Sequence, residues 1–221
     1  MLSKTAAPDR VKIAQRVAKE LQDGEVVNLG VGIPTMIPDY LGDKDIYLQS
    51  ENGLLGIGPT PPDDEIDMDI ISASKEPITI IPGASLFNSS TSFAMIRGGH
   101  VDSAILGALQ VDETGLIANW AVPGKDILGV GGAMDLVAGA KKIILSLTHQ
   151  SKDKTPKLVK ELSYPRSGVR KANMVVTEKA VFTFEKETMY LVEIASGITV
   201  EELKKITDAR FEISPNLVSD Y

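Results

Sequence analysis

The sequence predicts an α/β protein, with an open, mostly parallel sheet covered by helices on both faces, a single domain over residues 1–221 and a C-terminal hairpin. Three observations lead there. Short, almost wholly apolar runs such as "SAILGAL" and "KKIILSL" have the composition of strands buried on both faces. They alternate with segments of helical periodicity, an order that places helices on both sides of a parallel sheet. A length of 221 residues supplies one sizeable core and fits one large domain better than two.

The elements follow in order. Pro8–Gln22 reads as an amphipathic helix with Val11, Ala14, Ala18 and Leu21 on one face and Gly24 as its stop. Glu25–Leu29 reads as a strand. Next come a glycine turn, a short helix opened by Pro34, and a second strand in "DIYLQ". Pro77–Gly83, β-branched and apolar, predicts a buried strand, and "SSTSFAMIRGG" a helix. After the strand "SAILGAL", the turn Asp112–Gly115 starts a hairpin that returns through "LIANWAV". "GGAMDLVAGA" predicts a helix and "KKIILSL" a strand, and Gln150–Lys157 a long surface loop. "ANMVVTEKAVFTFEKETMYLVEIA" supplies strands and a hairpin. The helix in "TVEELKKITDA" carries a capping box, Thr199 with Glu202.

Composition narrows the function. Lys and Arg total 23 against 30 Asp and Glu, a formal net charge of -7. Such a chain repels phosphate backbones at long range, so no nucleic-acid partner is expected, whereas a few local cations can still hold a small polyanion. With no cysteine there are no disulfides, thiolate nucleophiles or Cys-based metal sites. The polar N-terminus lacks the apolar core of a secretory signal, and no apolar run is long enough to span a bilayer. The expectation is a cytoplasmic protein with no membrane partner and no metal.

Three glycine turns stand at predicted strand ends: Gly30-Val31-Gly32, Gly56-Ile57-Gly58 and Gly129-Val130-Gly131-Gly132. None matches a dinucleotide fingerprint or a P-loop. Ligands of open α/β sheets gather at the carboxyl ends of strands, so the three turns predict a shared crevice. Glu51 stands at the same edge, in "QSENGLLGIGP", and no further charge follows before Asp63. "ENG" alone is a tight turn whose glutamate could be a solvated corner. A lone carboxylate in a dry crevice is equally a candidate nucleophile, acid or base. The two histidines, His100 and His149, and the acidic run Asp63–Asp69 read as structural or solvated. Ser50 lacks the flanking glycines of a hydrolase elbow. Lys75, Arg97, Lys125, Lys141 and Lys142 are the cations nearest the turns in sequence.

Together, "QSENGLLGIGP", "PGASLFNSSTSFAMIRGGHVD", "ILGALQVDETGLIANWAVPGK" and "GVGGAMDLVAGAKK" resemble the B subunit of the 3-oxoacid CoA-transferases, a class I family. The resemblance runs from about Val11 to Leu217. It implies Glu51 as the catalytic glutamate and Gly132 as a backbone oxyanion donor. It also implies Asn28, Gly30, Lys75 and Asn119 as contacts to coenzyme A. A ping-pong exchange through a glutamyl–CoA thioester is implied, with CoA or acyl-CoA as substrate and no tightly bound cofactor. The implied partner is an A subunit, in a heterodimer or an A2B2 heterotetramer. The alternatives are an acyl-CoA hydrolase using the same glutamate, and a non-catalytic ligand-binding protein on a sugar-phosphate-isomerase-like scaffold.

Overall fold

The computed structural model describes residues 7–125, 127 and 129–219. Helix α1 (Pro8–Ala18) leads into strand β1 (Val26–Leu29), a 3₁₀ helix (Pro34–Tyr40), β2 (Tyr47–Ser50), β3 (Leu54–Ile57) and β4 (Ile80–Leu86). Helix α2 (Ser89–Arg97), β5 (Ser103–Leu106), β6 (Gln110–Asp112), β7 (Ile117–Ala118), α3 (Ala133–Gly139), β8 (Lys142–Ser146) and β9 (Leu158–Val159) follow. The chain continues through β10 (Met174–Val176), β11 (Ala180–Glu185), β12 (Thr188–Ile194), α4 (Val200–Lys205) and β13 (Glu212–Ser219).

One open sheet runs in the order β13-β12-β11-β10-β8-β5-β1-β2-β3-β4. Its centre, from β10 to β2, is parallel throughout. Antiparallel pairs flank that centre on both sides, β2-β3-β4 at one end and β10-β11-β12 at the other, and β13 adds in parallel beyond β12. A small second sheet has the order β7-β6-β9.

Strand alternation divides the core into two layers. Ala104 and Leu106 of β5 and Ile143 and Leu145 of β8 face Ile96 of α2, Leu136 and Val137 of α3, and Leu203 of α4. Ile105 and Ile144, between them in sequence, face Ile13, Ala14 and Val17 of α1. Each central strand is buried on both faces, which is why its sequence reads as a continuous apolar run. Helix α4 begins on the expected capping box: the Thr199 hydroxyl accepts from the Glu202 N–H, and the Glu202 carboxylate accepts from the Thr199 N–H.

Several expectations need correction. Helix α1 stops at Ala18, short of Gln22. The apolar run from Pro77 does not become a buried strand. It forms β4, the exposed edge of the sheet, where Ile80 and Leu86 stay largely open. Pro82 fits there because an edge strand can spare a backbone donor. Gly56-Ile57-Gly58 is no strand-end turn either: Gly56 sits inside β3, at a register shift against β4.

Candidate active site

The site is built on the turn that joins β2 to β3. The Gly53 N–H closes it on the Ser50 carbonyl at 3.0 Å. Gly53 has φ +118°, and a Cβ there would lie 1.9 Å from the Phe87 carbonyl oxygen, so no other residue fits. Its neighbours are tied outward. The buried Ser50 hydroxyl accepts from the Ala73 N–H at 2.8 Å, and the Asn52 side chain donates to the Ile71 carbonyl at 2.8 Å. Gln49 donates to the Ser50 carbonyl and to the Ser92 hydroxyl, at 3.0 and 2.8 Å. Of the four residues Ser50 to Gly53, only the Glu51 side chain is left to point into the cleft. "ENG" is thus a tight turn whose glutamate lines the cleft.

That cleft, of about 520 Å³, lies at the carboxyl ends of three adjacent parallel strands: β1 (Leu29 to Val31), β2 (Glu51) and β5 (Leu106 to Leu109). The loop Gly129–Gly132 closes it from the α3 side. Glu51, Ser74 and Asn119 are the polar side chains on its walls; the rest is glycine, alanine, leucine and valine. Glu51 is half-buried, and its carboxylate makes no hydrogen bond or ion pair among the described residues. It packs directly on Gly132, where an added Cβ would stand 3.0 Å from both Glu51 Cγ and Oε1. With φ −80°, Gly132 is a glycine for space, not for conformation. Its N–H donates to no group among the described residues.

The expected residues divide. Glu51, Gly132, Gly30 and Asn119 all line the cleft. Gly30 is pressed on β5: its N–H donates to the Ile105 carbonyl at 2.8 Å, and a Cβ would approach that oxygen to 3.1 Å. Asn119 is anchored through its carbonyl group, whose oxygen accepts from the Ser167 hydroxyl at 2.6 Å. Asn28 does not reach the cleft. It is wholly buried on β1, where its side-chain NH2 donates to the Gln49 side chain at 2.7 Å and so braces β1 against β2, while its Oδ1 has no hydrogen-bond partner among the described residues. Lys75 is absent from the walls as well. It is exposed at the tip of a turn with φ +63°, closed by its N–H on the Ser72 carbonyl, while Ala73 and Ser74 beside it face the cleft.

The three glycine turns do not share one crevice either, since Gly58 lines a separate hollow and Gly56 packs on Ala84. Arg97 is engaged by Asp135 at 2.6 Å. Asp102 is held by Lys141 and the Val26 N–H, so it does not orient His100. His149 is buried between the hydroxyls of Thr177 and Thr207, away from the cleft. Among the described residues there is no His/Asp/Glu cluster suited to a metal, and no helix long and apolar enough to cross a membrane. Ser74 is the wall residue that sequence reasoning missed. Nothing around it signals a site; the Ser50–Ala73 hydrogen bond brings it there.

Comparison with known proteins identifies the family. The family described as Coenzyme A transferase matches residues 10–205. The B subunit of the succinyl-CoA:3-ketoacid coenzyme A transferase of Helicobacter pylori is 49% identical over 204 residues, covering 92% of this chain and 99% of that protein. The beta subunit of the acetate CoA-transferase of Escherichia coli is 47% identical over 207 residues, covering 93% and 94%. A crystal structure of an acyl-CoA transferase from Escherichia coli O157:H7 superposes with a TM-score of 0.78 at 26% identity, over 96% of this chain but 43% of that longer chain. The chain belongs to the coenzyme A transferase family, and within it to the B-subunit type.

Proposed function

We propose that this chain, working as one domain, is the half of a CoA-transferase that carries the nucleophile, and that the nucleophile is Glu51. The observation that supports it most is an unpaired carboxylate packed on a glycine in an otherwise apolar cleft. A glutamate kept only for solubility or for an ion pair has no need of that setting.

In the first step a Glu51 oxygen attacks the carbonyl carbon of an acyl-CoA. The C–S bond breaks, the thiolate leaves, and an acyl–glutamyl anhydride remains. The thiolate then attacks the Glu51 side-chain carbonyl, the anhydride C–O bond breaks, and the first carboxylate departs, leaving a glutamyl–CoA thioester. A second carboxylate reverses the two steps and leaves as the new acyl-CoA. One thioester replaces another, so the cycle needs no outside energy. The difficult species is the tetrahedral oxyanion, and the free Gly132 N–H is the donor placed to meet it. Leucine, valine and alanine walls favour exclusion of water, which would otherwise hydrolyse the anhydride. Asn119 presents an amide nitrogen with no partner among the described residues, suited to orienting the substrate arm.

The acids exchanged belong to the short-chain and 3-oxo class, as the names of the two bacterial relatives suggest. Those relatives are named as subunits, and the superposed transferase extends well beyond the matched part, which supports a separate A subunit that completes the site. A cytoplasmic location fits such soluble substrates. The test is an assay of the co-expressed complex for thiol release from acyl-CoA, with and without an acceptor acid. Transfer predicts new acyl-CoA with the acceptor and almost no free thiol without it. Equal thiol release in both arms would make the enzyme a hydrolase.

A further inference from the structure

The Glu51 carboxylate has no hydrogen bond and no ion pair among the described residues, so its place against Gly132 is set by the backbone that carries it. That backbone is held by more donors than it needs. The Ser50 carbonyl, which shares a peptide plane with the Glu51 nitrogen, has two lone pairs and three donors aimed at it. The Gly53 N–H and the Gln49 side-chain NH2 each reach it at 3.0 Å, and the Ser92 hydroxyl at 3.4 Å. The same Gln49 NH2 donates to the Ser92 hydroxyl at 2.8 Å, which leaves the Ser50 carbonyl as acceptor for the hydroxyl proton. On its other side, the Gln49 side-chain oxygen accepts from the Asn28 NH2 at 2.7 Å, and the Gln49 main-chain carbonyl accepts from the same group at 3.2 Å. Asn28, Gln49 and Ser92 thus link β1, β2 and α2 behind the turn, and all three are buried. Gln49 and Ser92 do not line the Glu51 cleft, so neither touches a reacting atom.

We infer that Gln49 is a positioning residue for the exchange: its amide clamps the Ser50–Glu51 peptide and keeps the Glu51 side chain on Gly132 through the anhydride and thioester stages. This role rests on the proposal that Glu51 is the nucleophile. A carboxylate that must first attack and then be attacked keeps its own oxygens free, so its precision has to come from the main chain. A neutral amide suits that task, because it donates to the Ser50 carbonyl without bringing a charge into the interior. Its two ends are also sorted by their partners. The oxygen meets the Asn28 donor, and the nitrogen meets two oxygens, so a flipped amide would set like against like. Buried and matched in this way, the network has one arrangement, and the turn it holds has one position.

The test uses two variants of the co-expressed complex. Gln49→Leu keeps the bulk of the side chain and removes both ends of the amide. Gln49→Glu keeps the oxygen that meets Asn28 and replaces the NH2 by a group that donates only when protonated. Buried against the Ser50 carbonyl with no cation among its partners, the introduced carboxyl titrates well above the usual carboxylate range. In Gln49→Leu, kcat per folded complex should fall about ten- to a hundredfold, and so should the single-turnover rate at which Glu51 gains CoA, while the calorimetric Kd for CoA stays within about twofold of the parent. Gln49→Glu should approach the parent near about pH 6, where the acid donates to the Ser50 carbonyl, and fall toward the Gln49→Leu level by about pH 9, where the ionised oxygen repels it. A merely structural amide gives the opposite results: a lowered urea midpoint in Gln49→Leu with parental kcat per folded complex, or a Gln49→Glu activity whose ratio to the parent is the same at both pH values. Either overturns the inference, and Gln49→Glu decides alone if Gln49→Leu fails to assemble. Retained transfer in Glu51→Gln refutes the nucleophile, whereas parental Gln49 variants beside an inactive Glu51→Gln refute the positioning role alone.

Discussion

Two regions of the molecule hold half-buried glutamates and treat them in opposite ways. Between α1 and the sheet, Arg16 is almost fully buried and lies against Glu20 at 2.8 Å and Glu193 at 2.6 Å, while Lys142 reaches Glu20 at 2.9 Å. Burial alone would raise the Glu20 carboxyl, but hydrogen bonds from Lys142 and Arg16 prevail and hold it below the usual carboxylate range. At the carboxyl ends of the strands, Glu51 is also half-buried and has no cation beside it. Burial therefore does not separate the paired carboxylates from the unpaired one in this protein. What separates them is whether the lone pairs are already engaged. A glutamate clasped by arginine has little nucleophilic electron density to offer, and its removal is felt as stability. On the function proposed above, removal of a glutamate facing only a glycine and apolar walls is expected to be felt as chemistry and not as stability.

The sharpest way to break this contrast is Glu51→Gln. Transferase activity of the complex should fall on the order of a thousandfold or more, while the unfolding free energy in urea stays within about 0.5 kcal/mol of the parent. A large loss of stability instead would put Glu51 in the structural class. Gly132→Ala comes next. Its methyl would stand 3.0 Å from Glu51 Oε1 and push the carboxylate away from its place against Gly132. The expected loss is about a hundredfold in kcat, read by steady-state assay with secondary structure unchanged by circular dichroism.

Arg16→Met tests the other side of the comparison. It leaves the half-buried Glu193 without its cation and Glu20 with Lys142 alone, and denaturant unfolding should show a loss of about 3 kcal/mol, with activity per folded complex within about twofold of the parent. The smallest effect concerns a third kind of buried titratable group. Burial, and then the charge of Lys179, push His149 down to about 4. Between its unfolded value near 6.5 and that folded value, the unfolded chain binds the extra proton. This part of the stability is complete above about pH 6.5 and is lost as pH falls toward 4, by roughly 3 kcal/mol at most. Urea midpoints at pH 7 and pH 5 measure it, and His149→Gln should flatten the difference.

The centre of the fold was legible because strands buried on both faces have no choice of composition. The edges were not. Ile80–Leu86 has the same β-branched sequence as a central strand, and nothing local says that its far side has no neighbour. β3 and β13 were missed for a related reason: "LLGI" is short and broken by glycine, and "EISPNLVS" carries a proline and polar residues, so only their sheet partners make them strands. The position of Glu51 on a cleft with little other charge was legible from the uncharged run that follows it. The burial of Asn28 was not legible, because a strand residue two places before a glycine turn can face the sheet interior as readily as a cleft. Nor was the exposure of Lys75, one residue beyond Ser74, which a positive-φ turn carries off the cleft wall.

The most direct measurement is the mass of the chain after the co-expressed complex is incubated with acyl-CoA and no acceptor acid. A covalent gain equal to CoA less one water, localised by fragmentation to the peptide bearing Glu51 and absent from Glu51→Gln, is the predicted result. An active complex in which the CoA adduct falls on another residue, or in which Glu51→Gln still forms it, would contradict the assignment.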